Sequence, residues 1–509
     1  MAGITPLSGS RRVAATLALA MANFMVVLDT TIANVSVPTI AGGLAVSPSQ
    51  GTWVITSYAV AEAIVVPLTG WYAARLGAVR AFTLSVLGFG FISMLCGLAG
   101  SLEMLVAMRI AQGLAGGPLM ALSQTILLSS YPREKAGAAI GIWSMTTLLA
   151  PIAGPLLGGW ISASFSWPWI FFINLPMAII CALLVREVYR GMDSERVARP
   201  VDTVGVLLLI TWVGALQLVL DKGRELDWFG SPLIVALAVT SVVAFVFFVI
   251  WELDTPHPAV DVHLFANRNF LIGVMAMSLI FGVFFGSVVL IPLWLQTQMG
   301  YTSLWAGYAT APIGVLAVVA APMIAMNLGR VDPRAFLTLS MTVFCLTFLM
   351  RHRFSTDITF LDVALPQFLQ GMAMPMFFLP LNALALSGIH PSQLASASGL
   401  QNFVRTLAAA FSAALATTLW DDWTTAHRAV LVEHITNTSP ATVAALDRMT
   451  GAGLPPDGAL GLLNGVVQQQ ASTLAFADYF YYAAMLLPVV ALLTWVARPA
   501  RGGGGELRR

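Results

Sequence analysis

The sequence predicts an all-α polytopic membrane protein, and three observations predict it. Of 509 residues, 58% are hydrophobic and only 10% charged, whereas a soluble domain carries roughly 25% charged residues. The mean hydropathy is +0.83. Apolar runs of about 20 residues, the length a helix needs to cross a bilayer, recur along nearly the whole chain. Membrane β-strands alternate apolar and polar residues, and these runs do not. A net charge of +1 implies neither a basic nucleic-acid face nor an acidic tail. Cys96, Cys181 and Cys345 all fall inside apolar runs and read as small buried hydrophobes. With no CxxC motif or clustered Cys/His ligands, neither a disulfide framework, a metal nor a cofactor is expected.

Fourteen stretches qualify as spans: 13–36, 50–74, 79–100, 102–124, 136–162, 167–190, 201–220, 231–252, 269–298, 304–326, 335–350, 361–386, 394–420 and 479–497. Arg11 and Arg12 precede the first, which has no cleavage site and reads as a retained helix. Cytoplasmic loops of membrane proteins carry the excess of basic residues. With the N-terminus inside, seventeen of the 25 basic residues fall on cytoplasmic segments and six outside, with Arg109 and Arg405 left within the membrane. Both termini are therefore expected to be cytoplasmic.

Composition breaks divide these spans 6 + 2 + 6. A charged link at 191–200 follows an N-terminal six-helix lobe (13–190), and a second link at 253–268 follows two extra helices (201–252). A C-terminal six-helix lobe (269–497) contains the one long loop, 421–478, on the outer side. Within that loop DDWTTAHRAVLVEHI suits an amphipathic helix, TGAGLPPDGALG reads as turns, and VVQQQASTLAFADYF is helix-compatible. A weak repeat supports two related lobes. At an offset of 258, Gln112 meets Gln370, Gly113 meets Gly371, Ala139 meets Ala397 and Gly141 meets Gly399. Related halves with a substrate site between them characterise transporters.

Charged residues inside apolar spans cost about 2.5–3.5 kcal/mol each even on the lenient insertion scale, and they mark function. Asp29, Glu62, Arg109 and Arg405 are such residues. Burial disfavours the carboxylate form of Asp29 and a nearby guanidinium favours it, a balance suited to loading and releasing a proton. Arginine stays charged throughout. Arg109, Gln112, Gly113, Gly116 and Met120 share one helix face, where small residues admit a neighbouring backbone. Glu62 is expected to line a central cavity, with Gln124, Trp143, Asn382, Gln401 and Arg405 as further lining candidates chosen for polarity or aromaticity. Gly154, Pro155, Gly158 and Gly159 combine a proline kink with close packing and suit a moving contact between lobes. In GWYAARLGAVR (70–80), Gly70 and Gly77 permit a tight turn that Arg75 and Arg80 anchor.

Together these segments resemble the major facilitator superfamily, in particular its 14-helix drug:proton antiporter branch and the EmrB-like multidrug efflux subunits within it. LDTTIANVSVP (28–38) resembles that branch's first-helix motif and LVAMRIAQGLAGG (105–117) its fourth-helix proton-coupling motif. GWYAARLGAVR resembles the superfamily loop motif, with Ala74 where many members have Asp, and Ala150-PIAGPLLGGW resembles the antiporter motif. QGTWVITSYAV (50–60) and WIFFINLPM (169–177) are also similar to the family. The resemblance covers residues 15–497. It implies the major facilitator fold, a bacterial inner-membrane location, and export of hydrophobic or amphipathic drugs driven by the proton gradient. It also implies Asp29 and Arg109 as the proton-coupling pair. EmrB-like subunits work with a periplasmic adaptor (EmrA-like) and an outer-membrane channel (TolC-like), so the outer loop is expected to touch the adaptor.

Two other readings are weaker. A proton symporter importing a small molecule is opposed only through the resemblance of the glycine–proline fifth helix. An enzyme is opposed by the absence of HExxH and GxSxG motifs, and an ATP-driven pump by the absence of a GxxxxGK[ST] phosphate loop.

Overall fold

A computed structural model describes residues 4, 6–132, 136–194, 196, 200, 202–328, 331–390, 393–436 and 439–495. Every regular element among them is helical. The N-terminal half runs α1 (Gly9–Gly43), α2 (Pro48–Gly51), α3 (Trp53–Val65), α4 (Thr69–Leu76), α5 (Ala78–Gly97), α6 (Leu102–Ser130), α7 (Ala136–Ser164), α8 (Trp169–Phe172) and α9 (Asn174–Val188). Two helices follow, α10 (Thr203–Lys222) and α11 (Pro232–Asp254). The C-terminal half comprises α12 (Arg268–Thr297), α13 (Ser303–Thr310), α14 (Pro312–Asn327), α15 (Pro333–His352), α16 (Phe360–Leu386), α17 (Leu394–Glu433), α18 (Pro440–Gly451) and α19 (Pro456–Trp495). Among the described residues, 13 helical stretches are long and apolar enough to cross a membrane. The 29-residue α7 lies between the fourth and fifth of them.

Local chemistry sets the boundaries. Ser101, Asp202, Asn267, Thr302 and Asp332 each accept a backbone N–H at the start of α6, α10, α12, α13 and α15, satisfying donors that a helix start leaves open. Pro67 turns the joint between α3 and α4 into a short 3₁₀ segment, Val66–Leu68, because proline removes a backbone donor. Pro312 likewise begins α14 directly after α13.

In the N-terminal half α1 packs on α7 and α3 on α6; in the C-terminal half α12 packs on α17 and α14 on α16. The halves meet where α6 crosses α17 and where α7 meets α14 and α16. By contrast α11 leaves Val239, Val242, Phe247 and Ile250 exposed, a surface suited to lipid. At its end the buried Glu252 accepts the Val260 N–H at 3.1 Å and fastens the 253–268 link.

In the 421–478 segment the stretches expected to be helical, DDWTTAHRAVLVEHI and VVQQQASTLAFADYF, are continuous with the flanking spans and not separate from them as parts of one long loop. The helix α17 runs 40 residues to Glu433, α18 covers Pro440–Gly451, and the last helix begins already at Pro456. Forty residues make a helix of about 60 Å, against a hydrocarbon core of about 30 Å. The helices α17 and α19 pair along this extension: His427 Nε2 lies 2.8 Å from Asp478, Arg428 donates to Asn464 at 2.9 Å, and the Trp420 indole donates to the Ser472 carbonyl at 2.9 Å. Hydropathy falls where the chain becomes polar, but no proline or glycine interrupts 421–433, so the helix runs on past its apolar stretch to Glu433.

Candidate functional site

The first site is a closed polar cluster inside the N-terminal half. Asp29 projects from α1 and Arg109 from α6, and both side chains are 1% exposed. Arg109 Nη1 donates to Asp29 Oδ2 at 2.6 Å and to Gln112 Oε1 at 2.8 Å, while Nε donates to the Val54 carbonyl at 3.0 Å. The other carboxylate oxygen, Oδ1, accepts from Gln112 Nε2 at 3.1 Å and Asn174 Nδ2 at 2.7 Å. Asn174 in turn donates to Ser93, whose hydroxyl donates to the Phe171 carbonyl. The guanidinium lies 4.2 Å from the Tyr58 ring centroid. Both carboxylate oxygens are thus held by α6, and one also by α9. Buried charges require this degree of pairing. Gly113 admits the crossing of α3, since a Cβ there would stand 2.6 Å from the Tyr58 carbonyl oxygen.

Sequence reasoning brought Asp29, Arg109 and Gln112 together and missed Ser93, Tyr58 and Asn174. Asn174 lay in the quoted segment WIFFINLPM, where an amide in an apolar run was the available signal.

The second site lies where the halves meet. Gln124 of α6 donates to Asn382 of α16 at 3.0 Å, Gln401 of α17 donates to Asn382 at 2.7 Å, and Asn402 donates to Gln124 at 3.3 Å. Gln124 and Asn382 are 258 residues apart, the offset of the internal repeat. Trp143 is fully buried; it donates to Ser123 at 2.9 Å and stacks on Phe378 with centroids 6.3 Å apart. Arg405 reaches across to Met120 Sδ at 2.6 Å, over the rings of Phe281 and Phe378. Glu62 is half-buried and makes no hydrogen bond or ion pair among the described residues, while the charges of Arg109, Asp29 and Arg405 all bear on it.

The motif residues sit at joints. Gly77 carries φ +89° between α4 and α5, a conformation that favours glycine. Arg75 packs over Trp71 at 5.5 Å and Arg80 lies 3.9 Å from Asp193. Asp193 itself accepts from the Val79 N–H at 3.0 Å, and Ser194 accepts from the Ala78 N–H at 2.8 Å. The 191–200 link therefore supplies the turn with a carboxylate, although Ala74 supplies none. Gly70 abuts Ser396 of α17, Gly154 abuts Thr31 of α1, and Gly158 faces the Ile32 carbonyl. Gly159 has open space beside it. Pro155 is within α7, and its side chain lies outside the described residues.

The N-terminal cluster ties α1, α3, α6 and α9 together through one buried ion pair, and the amide cluster joins the two halves. The sequence profile of the Major Facilitator Superfamily matches residues 19–413. Multidrug export protein EmrB of Escherichia coli K12 is 43% identical over 501 residues, 98% of each chain. Multidrug export protein EmrB of Haemophilus influenzae is 45% identical over 498 residues, again 98% of each. Fatty acid resistance protein FarB of Neisseria gonorrhoeae is 43% identical over 503 residues, covering 98% of this chain and 99% of that one. Among solved structures, the human organic anion transporter MFSD10 superposes with a TM-score of 0.58 at 14% identity, over 94% of this chain and 100% of that chain. A bacterial homolog of the human lysosomal transporter Spinster gives 0.53 at 15% identity, over 97% and 99%. By profile, by relatives matched from end to end, and by fold, the chain belongs to the Major Facilitator Superfamily.

Proposed function

We propose that the protein is a proton-driven antiporter exporting hydrophobic and amphipathic drugs across the bacterial inner membrane. The observation that carries this reading is the sealed Asp29–Arg109 pair, an ionisable acid held at full burial by a residue that cannot itself exchange protons. Protonating Asp29 removes the charge that Arg109 neutralises and loosens the tie between α1 and α6. Through Asn174 and Val54 the same event reaches α9 and α3. A proton moving through 100 mV releases about 2.3 kcal/mol, and the pH gradient adds to it, so no cofactor is required.

Glu62, Gln124, Trp143, Asn382, Gln401 and Arg405 line the drug path between an N-terminal lobe (13–190) and a C-terminal lobe (269–497), with 201–252 as two accessory helices. The fourteen spans leave both termini cytoplasmic. The α17–α19 extension, residues 421–478, then stands in the periplasm, where it meets an EmrA-like adaptor leading to a TolC-like channel. The names of the relatives, multidrug export protein and fatty acid resistance protein, support an amphipathic cargo.

The test uses everted membrane vesicles energised to an acidic interior. Adding a hydrophobic drug is expected to release protons from the vesicles as drug accumulates inside. Drug moving in the same direction as protons would turn the reading into symport.

A further inference from the structure

A third buried arginine, Arg351, lies outside both sites. It occupies the last turn of α15 and is 1% exposed. Its Nη2 donates to Gln367 Oε1 at 3.1 Å and to Gln370 Oε1, and its guanidinium lies 5.4 Å from the ring centroids of Phe348 and Phe480. Among the described residues Nη1 has no hydrogen-bond partner, nor has Gln370 Nε2, and both atoms are buried. No acidic side chain among the described residues pairs with Arg351 or is close enough to act on its charge. The helix α12, which corresponds to α1, contains no Asp or Glu.

We propose that the C-terminal half holds a small monovalent anion, of the halide class, on Arg351 Nη1 and Gln370 Nε2. Burying an uncompensated cation costs several kcal/mol, and two aromatic faces return only about 0.5–2 kcal/mol each. Both unused groups are donors, so the missing partner is an acceptor. A water molecule would satisfy the donors but leave the charge unneutralised; a monovalent anion does both. The drug is not the source, because Arg351 lies where α15 packs on α16 and α19 within one half, away from the Gln124–Asn382 junction.

The test is thermal unfolding of the purified full-length protein in detergent, at constant ionic strength, as sodium chloride or bromide replaces sodium gluconate. The halides are expected to raise the melting temperature saturably, by about 2 °C or more. Gln370→Glu places a carboxylate beside Arg351; it should reach the halide-level melting temperature in gluconate alone and lose the halide response. Arg351→Leu should also lose that response. Equal melting temperatures of the unaltered protein in chloride and gluconate, or a halide response preserved in both variants, overturns the proposal. Should either variant fail to fold, anomalous scattering from crystals of the unaltered protein in bromide decides, through a peak or its absence beside Arg351.

Discussion

Gln112 and Gln370 occupy matching positions in the two halves, and each accepts a hydrogen bond from a buried arginine, but the surroundings of the two arginines differ. In the N-terminal half Arg109 comes from the same helix as its glutamine and faces Asp29, with every carboxylate oxygen occupied. In the C-terminal half Arg351 comes from the preceding helix and meets two glutamines and no acid. Cys96 stands beside Gln112 as Arg351 stands beside Gln370: its thiol lies 3.4 Å from Gln112 Oε1. The two halves share a scaffold of small residues and amides, and among the described residues only the N-terminal one sets a buried acid against its buried arginine.

The largest expected effect tests that asymmetry directly. Asp29→Asn keeps the shape and most hydrogen-bonding capacity of the side chain but removes the exchangeable charge. Pump-driven export in proteoliposomes with an imposed pH gradient should fall to the level of empty vesicles, with the protein still folded and some drug binding retained. Full export by this variant would remove Asp29 from the coupling role.

Next in size is the contrast between the arginines. Arg109→Ala leaves a buried carboxylate unpaired, a change that costs about 3–5 kcal/mol when a buried ion pair is broken. Arg351→Leu, measured in gluconate, removes a charge that has no opposite charge and should cost little or even stabilise, since apolar replacement of buried charges is often neutral or favourable. Thermal melting of the two variants side by side measures the difference. Equal losses would mean that Arg351 has an acidic partner in solution and that the halves are alike.

These differences explain how much was legible in the sequence. Asp29 and Arg109 announced themselves because a charge within an apolar run has few bland explanations. Asn174 did not, because an uncharged amide is tolerated in a membrane helix and its partner is fixed only by packing. Arg351 was hidden by position: the apolar run ended at 350, so it counted among the six basic residues on the outer side. The structure instead carries α15 on to His352 and folds Phe480 of α19 over the guanidinium. Asp193 read as part of a charged link, and only the folded chain brings it back to the turn at Val79. The span positions in the first twelve stretches were legible to within a few residues, except where α1 and α6 continue past their apolar runs; of the α17–α19 extension its helical stretches were legible, but not their continuity with the spans, for the reason that polarity ends a span without ending a helix.

The junction between halves gives an intermediate effect. Asn382 Oδ1 accepts from both Gln124 and Gln401, so Asn382→Leu strands two buried donors at about 1–3 kcal/mol each. The cost falls on the conformation in which the halves meet here. Cysteines introduced at Gly70 and Ser396, where α4 touches α17, should cross-link less readily in the Asn382→Leu background. Unchanged cross-linking would mean that the amides do not hold the halves together.

The smallest expected effect concerns the 70–80 turn. Asp193 Oδ1 accepts the Val79 N–H at the start of α5 and the Ser194 N–H, and its carboxylate lies near the N-terminal end of that helix, where negative charge is favourable by about 0.3–1 kcal/mol. Its partner Arg80 is 63% exposed and 3.9 Å away, so that ion pair adds little. Asp193→Asn keeps an acceptor oxygen and loses only the charge; Asp193→Ala loses both. The Asn variant should melt within about 1 kcal/mol of the unaltered protein and export normally, while the Ala variant, which leaves the Val79 N–H unpaired, should lose more stability. Their difference measures how far the hydrogen bond, and not the charge, fastens the 191–200 link to the turn. If Asp193→Asn abolished export with the fold intact, the carboxylate would be a charged switch replacing the acid that position 74 lacks.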